Sequence, residues 1–233
     1  MADKEILILV EGPSDKVFLE VYLYFLEDLP IKNFKVRSTN GKNNLSSTLL
    51  LETEKYAKTL IIFDADIKEE NRESDAGFDN RLKHIREEFQ EKGIDFPKEQ
   101  IFLFPNNQDD GDLETLLFKI AKHDEFLKCF EGYLECIKSK EYYKPIKNIR
   151  KNMLYAYLEV FGLEKFFQYK WDTNNKKNEE KIIIDDKGKI KSEYEENYKK
   201  LTEEAIDFNS KSLIPLKDFL GQFAENNQKT NLF

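Results

Sequence analysis

The sequence predicts an α/β protein, with a mainly parallel β-sheet flanked by helices and then a helical C-terminal extension. Three observations predict it. Short, continuously apolar runs recur at Glu5–Val10, Thr59–Phe63 and Ile101–Phe104, the pattern of strands buried on both faces of a sheet. Between them, apolar residues return at three- and four-residue spacing, which is the helical period. Each run also stops at a polar, acid-containing turn. Strands alternating with helices imply right-handed crossovers and a parallel sheet.

Taken in order, Glu5–Val10 is a strand closed by Glu11-Gly12-Pro13-Ser14. From Ser14 to about Glu27, the residues Val17, Phe18, Val21, Tyr22, Phe25 and Leu26 draw one helical stripe. Phe34–Arg37 is a second strand, Thr39-Asn40-Gly41 a turn and Leu45–Tyr56 a weaker helix. Thr59–Phe63 runs into Asp64-Ala65-Asp66, and Leu82, Ile85 and Phe89 mark a helix over Phe78–Lys92. Ile101–Phe104 is stopped by Pro105-Asn106-Asn107, and Asp112–Lys122 reads as the next helix. Residues 1–125 form the expected core. Residues 126–233 form a mostly helical region packed on it, with helices at Phe126–Ile137 and Ile149–Phe161. A charged surface excursion near residues 172–200, in hairpin form, precedes a closing segment over Ala205–Phe223 and a tail from Asn226.

Composition narrows the class. Of 233 residues, 40% are hydrophobic and 35% charged, which suits a soluble globular chain rather than a disordered one. No apolar run reaches membrane-spanning length, and the charged N-terminus does not read as a secretory signal, so a cytoplasmic location is expected. Cys129 and Cys136 are seven residues apart, two helical turns, and are expected on one buried face as small hydrophobes. Trp171 is expected to anchor in the core. His84 and His123 have no partner at a ligand spacing, so zinc or histidine chemistry is not expected.

The acidic residues carry the functional reading. In parallel sheets, functional groups gather beyond the carboxyl ends of the strands. Asp64 and Asp66, at i and i+2, would project to the same side if the strand persisted. Glu11 ends the first strand, Asp15 lies in the first turn of the helix after it, and Asp112 and Glu114 come from the last strand-to-helix loop. Oxygen donors of this kind suit Mg²⁺ or Mn²⁺. The plainer explanation for Asp15, Asp112 and Glu114 is helix capping, because acids complement a helix N-terminus. Asp64 and Asp66 are harder to explain so, because packed carboxylates cost free energy unless a cation or a positive side chain relieves them.

Val10-Glu11-Gly12-Pro13-Ser14-Asp15 followed by Phe63-Asp64-Ala65-Asp66 in a β/α alternation resembles the TOPRIM domain of topoisomerases, DnaG-type primases and OLD-family nucleases. The spacing of Glu11 to Asp15 looks most like the OLD-type nucleases. Phe104–Asn107, Asp109–Glu114, Leu154–Leu158 and Leu213–Leu220 resemble a stand-alone TOPRIM-related bacterial and phage family of unknown function. The resemblance covers roughly residues 5–120 and implies a Rossmann-like, TOPRIM-like fold. It implies metal or catalytic roles for Glu11, Asp64 and Asp66, with Asp15, Asp112 and Glu114 as further ligands. Lys151, or Lys147 in its place, matches the lysine that OLD-type enzymes use.

The chain departs from these families too. It has no GxxxxGK[ST] phosphate loop, so it is not expected to hydrolyse ATP itself, and none of its 11 tyrosines stands out as a strand-passage nucleophile. The expectation is a Mg²⁺- or Mn²⁺-dependent nuclease acting on DNA or RNA, in phage defence or nucleic-acid processing. Lys42, Lys147 and Arg150, with Lys35 and Arg37, would contact phosphates. Tyr142, Tyr143 and Tyr155 are at stacking positions, though aromatics so placed are more often core residues. The competing expectation is a metal- or nucleic-acid-binding regulatory subunit that works with a separate ATPase partner, favoured by the net charge of −8.

Overall fold

The computed structural model describes residues 5–26, 31, 33–41, 44–45, 55–68, 75–142, 149–164, 166–167, 170–172, 177–179, 183–184 and 189–223. Four strands, β1 (Ile6–Val10), β2 (Phe34–Ser38), β3 (Lys58–Asp64) and β4 (Ile101–Phe104), form one sheet in the order β2-β1-β3-β4. Every pairing in it is parallel, with Ile8 opposite both Val36 and Leu60, and Asp64 opposite Phe104. Flanking helices make it a four-stranded α/β fold of the expected class.

The continuous apolar runs are explained by what lies on each face. Alternate residues of a strand point to opposite sides. On one side Ile8, Val10, Leu60, Ile62, Phe102 and Phe104 join α1 (Pro13–Phe25), α3 (Leu113–Lys119) and α5 (Ile149–Val160) in one buried cluster. On the other, Leu7, Leu9, Ile61, Phe63, Ile101 and Leu103 pack on Ile85 and Phe89 of α2 (Phe78–Gln90). Burying each such side chain stabilises by about 1.5–3 kcal/mol, so both faces must be covered.

The C-terminal half closes the first face. The helix α6 (Glu195–Lys200) widens into a π turn over Leu201–Ala205, whose Leu201 and Ala205 are fully buried. The Lys122 N–H donates to Ala205 O at 2.9 Å, and the Asp207 N–H to Ile120 O at 2.7 Å. These two bonds explain why α3 stops at Lys119 rather than running to Lys122: the chain turns out to pair with Ile206. Phe219 of α7 (Ile214–Gly221) meets the Phe102 ring at 5.3 Å between centroids. Residues on both sides of position 125 therefore share one core.

In the excursion, β5 (Lys170–Asp172) and β6 (Lys177–Glu179) pair antiparallel, and Ile184 bridges Ile190. The expected helix over Leu45–Tyr56 lies mostly outside the described residues, as do the tail from Asn226 and the Trp171 side chain. No helix among the described residues is long and apolar enough to cross a membrane. One sequence expectation is corrected. Cys129 and Cys136 are exposed, on α4 (Asp124–Lys138). Seven-residue spacing places two side chains on a common face but does not say which face meets the core. Only Leu127 of α4 is buried, while Phe126 and Tyr133 are exposed.

Candidate functional site: a buried acidic pocket

β1 ends at Val10, and the turn after it is pinned through the Glu11 carbonyl, which accepts from the Gly41 N–H at 3.0 Å and from Ser38 Oγ at 3.2 Å. The Gly12 N–H donates to Asp15 Oδ2 at 2.6 Å, folding the first turn of α1 back on the strand end. A Cβ on residue 12 would lie 3.1 Å from that oxygen, so the glycine allows the close approach. This local geometry draws Asp15 inward, and it is buried.

Asp64 closes β3, and its Oδ1 accepts the Leu113 N–H of α3 at 2.9 Å. That bond ties the strand end to the helix carrying Glu114. The preceding Asp112 caps α3 through the Thr115 N–H at 2.7 Å, and Arg150 grips it, with Nη2 2.9 Å from Oδ1 and Nε 3.2 Å from Oδ2. The guanidinium also lies 5.6 Å from the Phe118 ring centroid. Gly111 makes the approach to this cap possible. Its φ is +149°, and a Cβ there would strike Thr115 Oγ1 at 2.8 Å.

Glu11, Asp15, Asp64 and Glu114 thus converge from three segments, with Lys151 of α5 within electrostatic reach. Burial pushes the Asp15 carboxyl up to about 8, helped by the charge of Glu11 and opposed by the Gly12 N–H and Lys151. Burial also drives Asp64 well above the carboxylate range, with Asp15, Glu11, Glu114 and Asp112 adding to the effect. Glu114 is raised by burial and by Asp112, and is drawn back down by Lys151 and Arg150. Asp15 is buried and Glu11, Asp64 and Glu114 are half-buried, and carboxyls packed in this way cannot all ionise unless positive charge offsets them.

Asp66 goes elsewhere. Its backbone takes a left-handed conformation, φ +61°, so the strand does not persist to it. Its carbonyl accepts the Gly111 N–H at 3.1 Å, and its carboxylate pairs with Arg81, which also pairs with Asp75. Arg81 is fully buried on α2, the helix covering the opposite face of the sheet. The two acids of Asp64-Ala65-Asp66 are therefore separated, against the expectation that they share one side.

The structure brings together Glu11, Asp15, Asp64, Glu114 and Lys151, and it engages Asp66, Asp112 and Arg150 in ion pairs. Lys42, Lys147 and Tyr143 lie outside the described residues. Tyr142 is exposed, and Tyr155 is packed against the core. The sequence reading missed Arg81 and Asp75. The available signal was that Arg81 falls four residues before Ile85 and eight before Phe89, on the buried stripe of α2, where a charge needs a partner.

The donor set is all oxygen and suits a hard cation. Among the described residues, no three His, Cys, Asp or Glu side chains are grouped so as to hold a metal ion as they are placed.

A four-stranded parallel α/β protein with a partly buried cluster of acids beyond the ends of β1 and β3 is the class that fold and site define. Residues 5–225 match the family described as "Protein of unknown function (DUF3226)", and the chain belongs to that family. No curated protein and no solved structure matches it.

Proposed function

We propose that the pocket takes up a divalent cation, Mg²⁺ or Mn²⁺, and that the protein hydrolyses phosphodiester bonds in DNA or RNA. The observation that carries this reading is the convergence of four buried or partly buried carboxyls, Glu11, Asp15, Asp64 and Glu114, on a space bordered by Lys151. Their place at the carboxyl ends of parallel strands, and the resemblance to TOPRIM nucleases, support it.

Such a cluster is neutralised by protons when empty and by a cation when loaded. When bound, the cation would supply charge to activate water and to steady the leaving oxygen. Glu11, Asp15, Asp64 and Glu114 would hold it, after side-chain rotations that draw their oxygens together. The Leu113 N–H fixes one oxygen of Asp64, and the Gly12 N–H one oxygen of Asp15, so each carboxylate keeps its other oxygen for a ligand. Lys151 would face a scissile phosphate and offset charge that grows on it. Arg150, held on Asp112, positions that stretch of α5.

The test is incubation of the purified chain with plasmid, single-stranded DNA and RNA, in Mn²⁺ and in EDTA. Cleavage in Mn²⁺, absent in EDTA and lost in Asp64→Ala and Glu11→Ala, is the expected result. Full activity of those variants with excess metal would overturn the reading.

The net charge of −8 favours a second reading. An acidic protein grips nucleic acid weakly by itself, and a regulatory subunit holding metal beside a separate ATPase partner would not need to. Cleavage that appears only when an ATPase partner is added would select it.

A further inference from the structure

We propose that the exposed face of α4 is the contact through which two copies of this chain pair, helix against antiparallel helix about a two-fold axis. This pairing needs nothing from the acidic pocket.

Phe126 and Tyr133 of α4 recur at seven residues, and Cys129 and Cys136 recur at seven, each three positions later. Alternating steps of three and four are the a and d spacing of a helix–helix seam. Asp124, Lys128, Glu131 and Glu135 repeat at the same steps on the opposite side of the helix, where Lys128 pairs with Asp124 at 2.6 Å. Only one edge of the apolar arc meets the core: Leu127 is buried, and Phe126 touches Phe161 edge-on at 6.3 Å between centroids. The seam itself faces outward, with Tyr133 56% and Phe126 40% exposed and both cysteines exposed. An apolar stripe with a charged back is built to be covered.

Three features select a second copy as its cover. The first turn of α4 carries Asp124 and Glu125 and the last turn Lys138. Antiparallel pairing sets each acidic turn beside the partner's basic one and opposes the two helix dipoles, whereas parallel pairing would set like beside like. The side chains also fit themselves. With the two-fold axis at the level of Glu131, Phe126 lies level with the partner's Cys136, and Tyr133 with the partner's Cys129. Every layer of the seam then sets a large side chain against a small one. Between the two cysteines, at steps of three and four, stands Gly132, a residue that weakens a helix interior relative to alanine. A Cβ there would meet no described atom within 4 Å. The packing within the chain does not require that glycine, and the close approach of a second helix does.

A helix of 15 residues is about 22 Å long, so the contact falls at the small end of specific interfaces and the dimer should be reversible. Sedimentation of the full-length chain over a range of concentrations should show a monomer–dimer equilibrium with a Kd of about 10–100 µM. Tyr133→Glu, an exposed position, should weaken it by about 30-fold or more while leaving the thermal melt of the monomer unchanged. A wild-type chain that stays monomeric to about 1 mM would overturn the proposal, and so would a dimer that Tyr133→Glu does not weaken. Cross-linking with a short bis-maleimide reads the orientation, because Cys129 and Cys136 are the chain's 2 cysteines. In the antiparallel pair the two Cys129 residues are about 6 Å apart along the axis and the two Cys136 residues about 15 Å. Cys136→Ser should therefore cross-link readily and Cys129→Ser poorly. Equal cross-linking of the two variants would overturn the antiparallel arrangement.

Discussion

The acidic pocket beyond β1 and the arginine knot beside α2 start from the same three residues, Asp64-Ala65-Asp66. In the pocket, Asp64 sits among Asp15, Glu11 and Glu114, and burial with like charge holds its carboxyl protonated well above the ordinary range. In the knot, Asp66 meets Arg81 directly. A buried carboxylate escapes its desolvation cost by taking a proton, a fixed cation or an exchangeable ion. The knot uses the second route and becomes structural. The pocket uses the first, which keeps the third open. The difference between a scaffold acid and a candidate ligand here is therefore the identity of its counter-charge, since both acids leave the same strand end.

Breaking the knot should have the largest effect. Arg81→Met strands Asp66 and Asp75 together, and the expected loss is about 3–5 kcal/mol in urea unfolding. A smaller loss in the double variant Arg81→Met/Asp66→Asn would attribute it to the ion pair. In the pocket, Asp64→Asn should lower Mn²⁺-dependent cleavage by about 10²–10³-fold in a plasmid-nicking assay. The same variant should unfold at about the same temperature in EDTA, because the amide replaces a carboxyl that burial and like charge already keep protonated. A variant that lost activity and stability together would erase the contrast between the two regions.

The pocket should also respond to pH in a direction the knot does not. Asp15 is raised to about 8 in the fold, so the folded state keeps a proton that the unfolded chain releases near pH 4. Between those values the native state binds more protons, and stability falls as pH rises. Thermal melts in EDTA should show this loss from about pH 4 to 8, on the order of a few kcal/mol in all. Mn²⁺ should restore stability most at the upper end of that window. A flat profile in EDTA would mean the carboxyls are not coupled through burial. The smallest expected effect is that of Arg150→Ala, about 1–2 kcal/mol, since the pair with Asp112 is partly exposed. Its cleavage rate should fall more than its stability if the clasp positions Lys151.

Much of the fold was legible in the residues themselves. Apolar runs of strand length at Glu5–Val10, Thr59–Phe63 and Ile101–Phe104 can be satisfied only by a sheet covered on both faces. The turns after them pointed to Glu11, Asp15, Asp64, Asp66, Asp112 and Glu114 as acids of one edge, because parallel strands must all end there, and nothing in the spacing set Asp66 and Asp112 apart as partners of Arg81 and Arg150. The helix ends were less legible. α3 ends where Ile120 and Lys122 exchange backbone bonds with a segment over 80 residues away. Cys129 and Cys136 were misread because periodicity fixes the relative orientation of two side chains and says nothing of where the core lies.

What the sequence determined by itself is the sheet, its edge, and the acids that gather there, since strand length, alternation and parallel connection are local or nearly local properties. What only the tertiary structure decided is how those acids are divided. The left-handed turn at Asp66, the reach of Arg81 from α2 and the clasp of Arg150 on Asp112 join elements 15 and 38 residues apart. The physical reason is that a carboxylate's protonation and partners depend on burial and on charges brought near by packing. Neither quantity is encoded in the spacing of the acids along the chain.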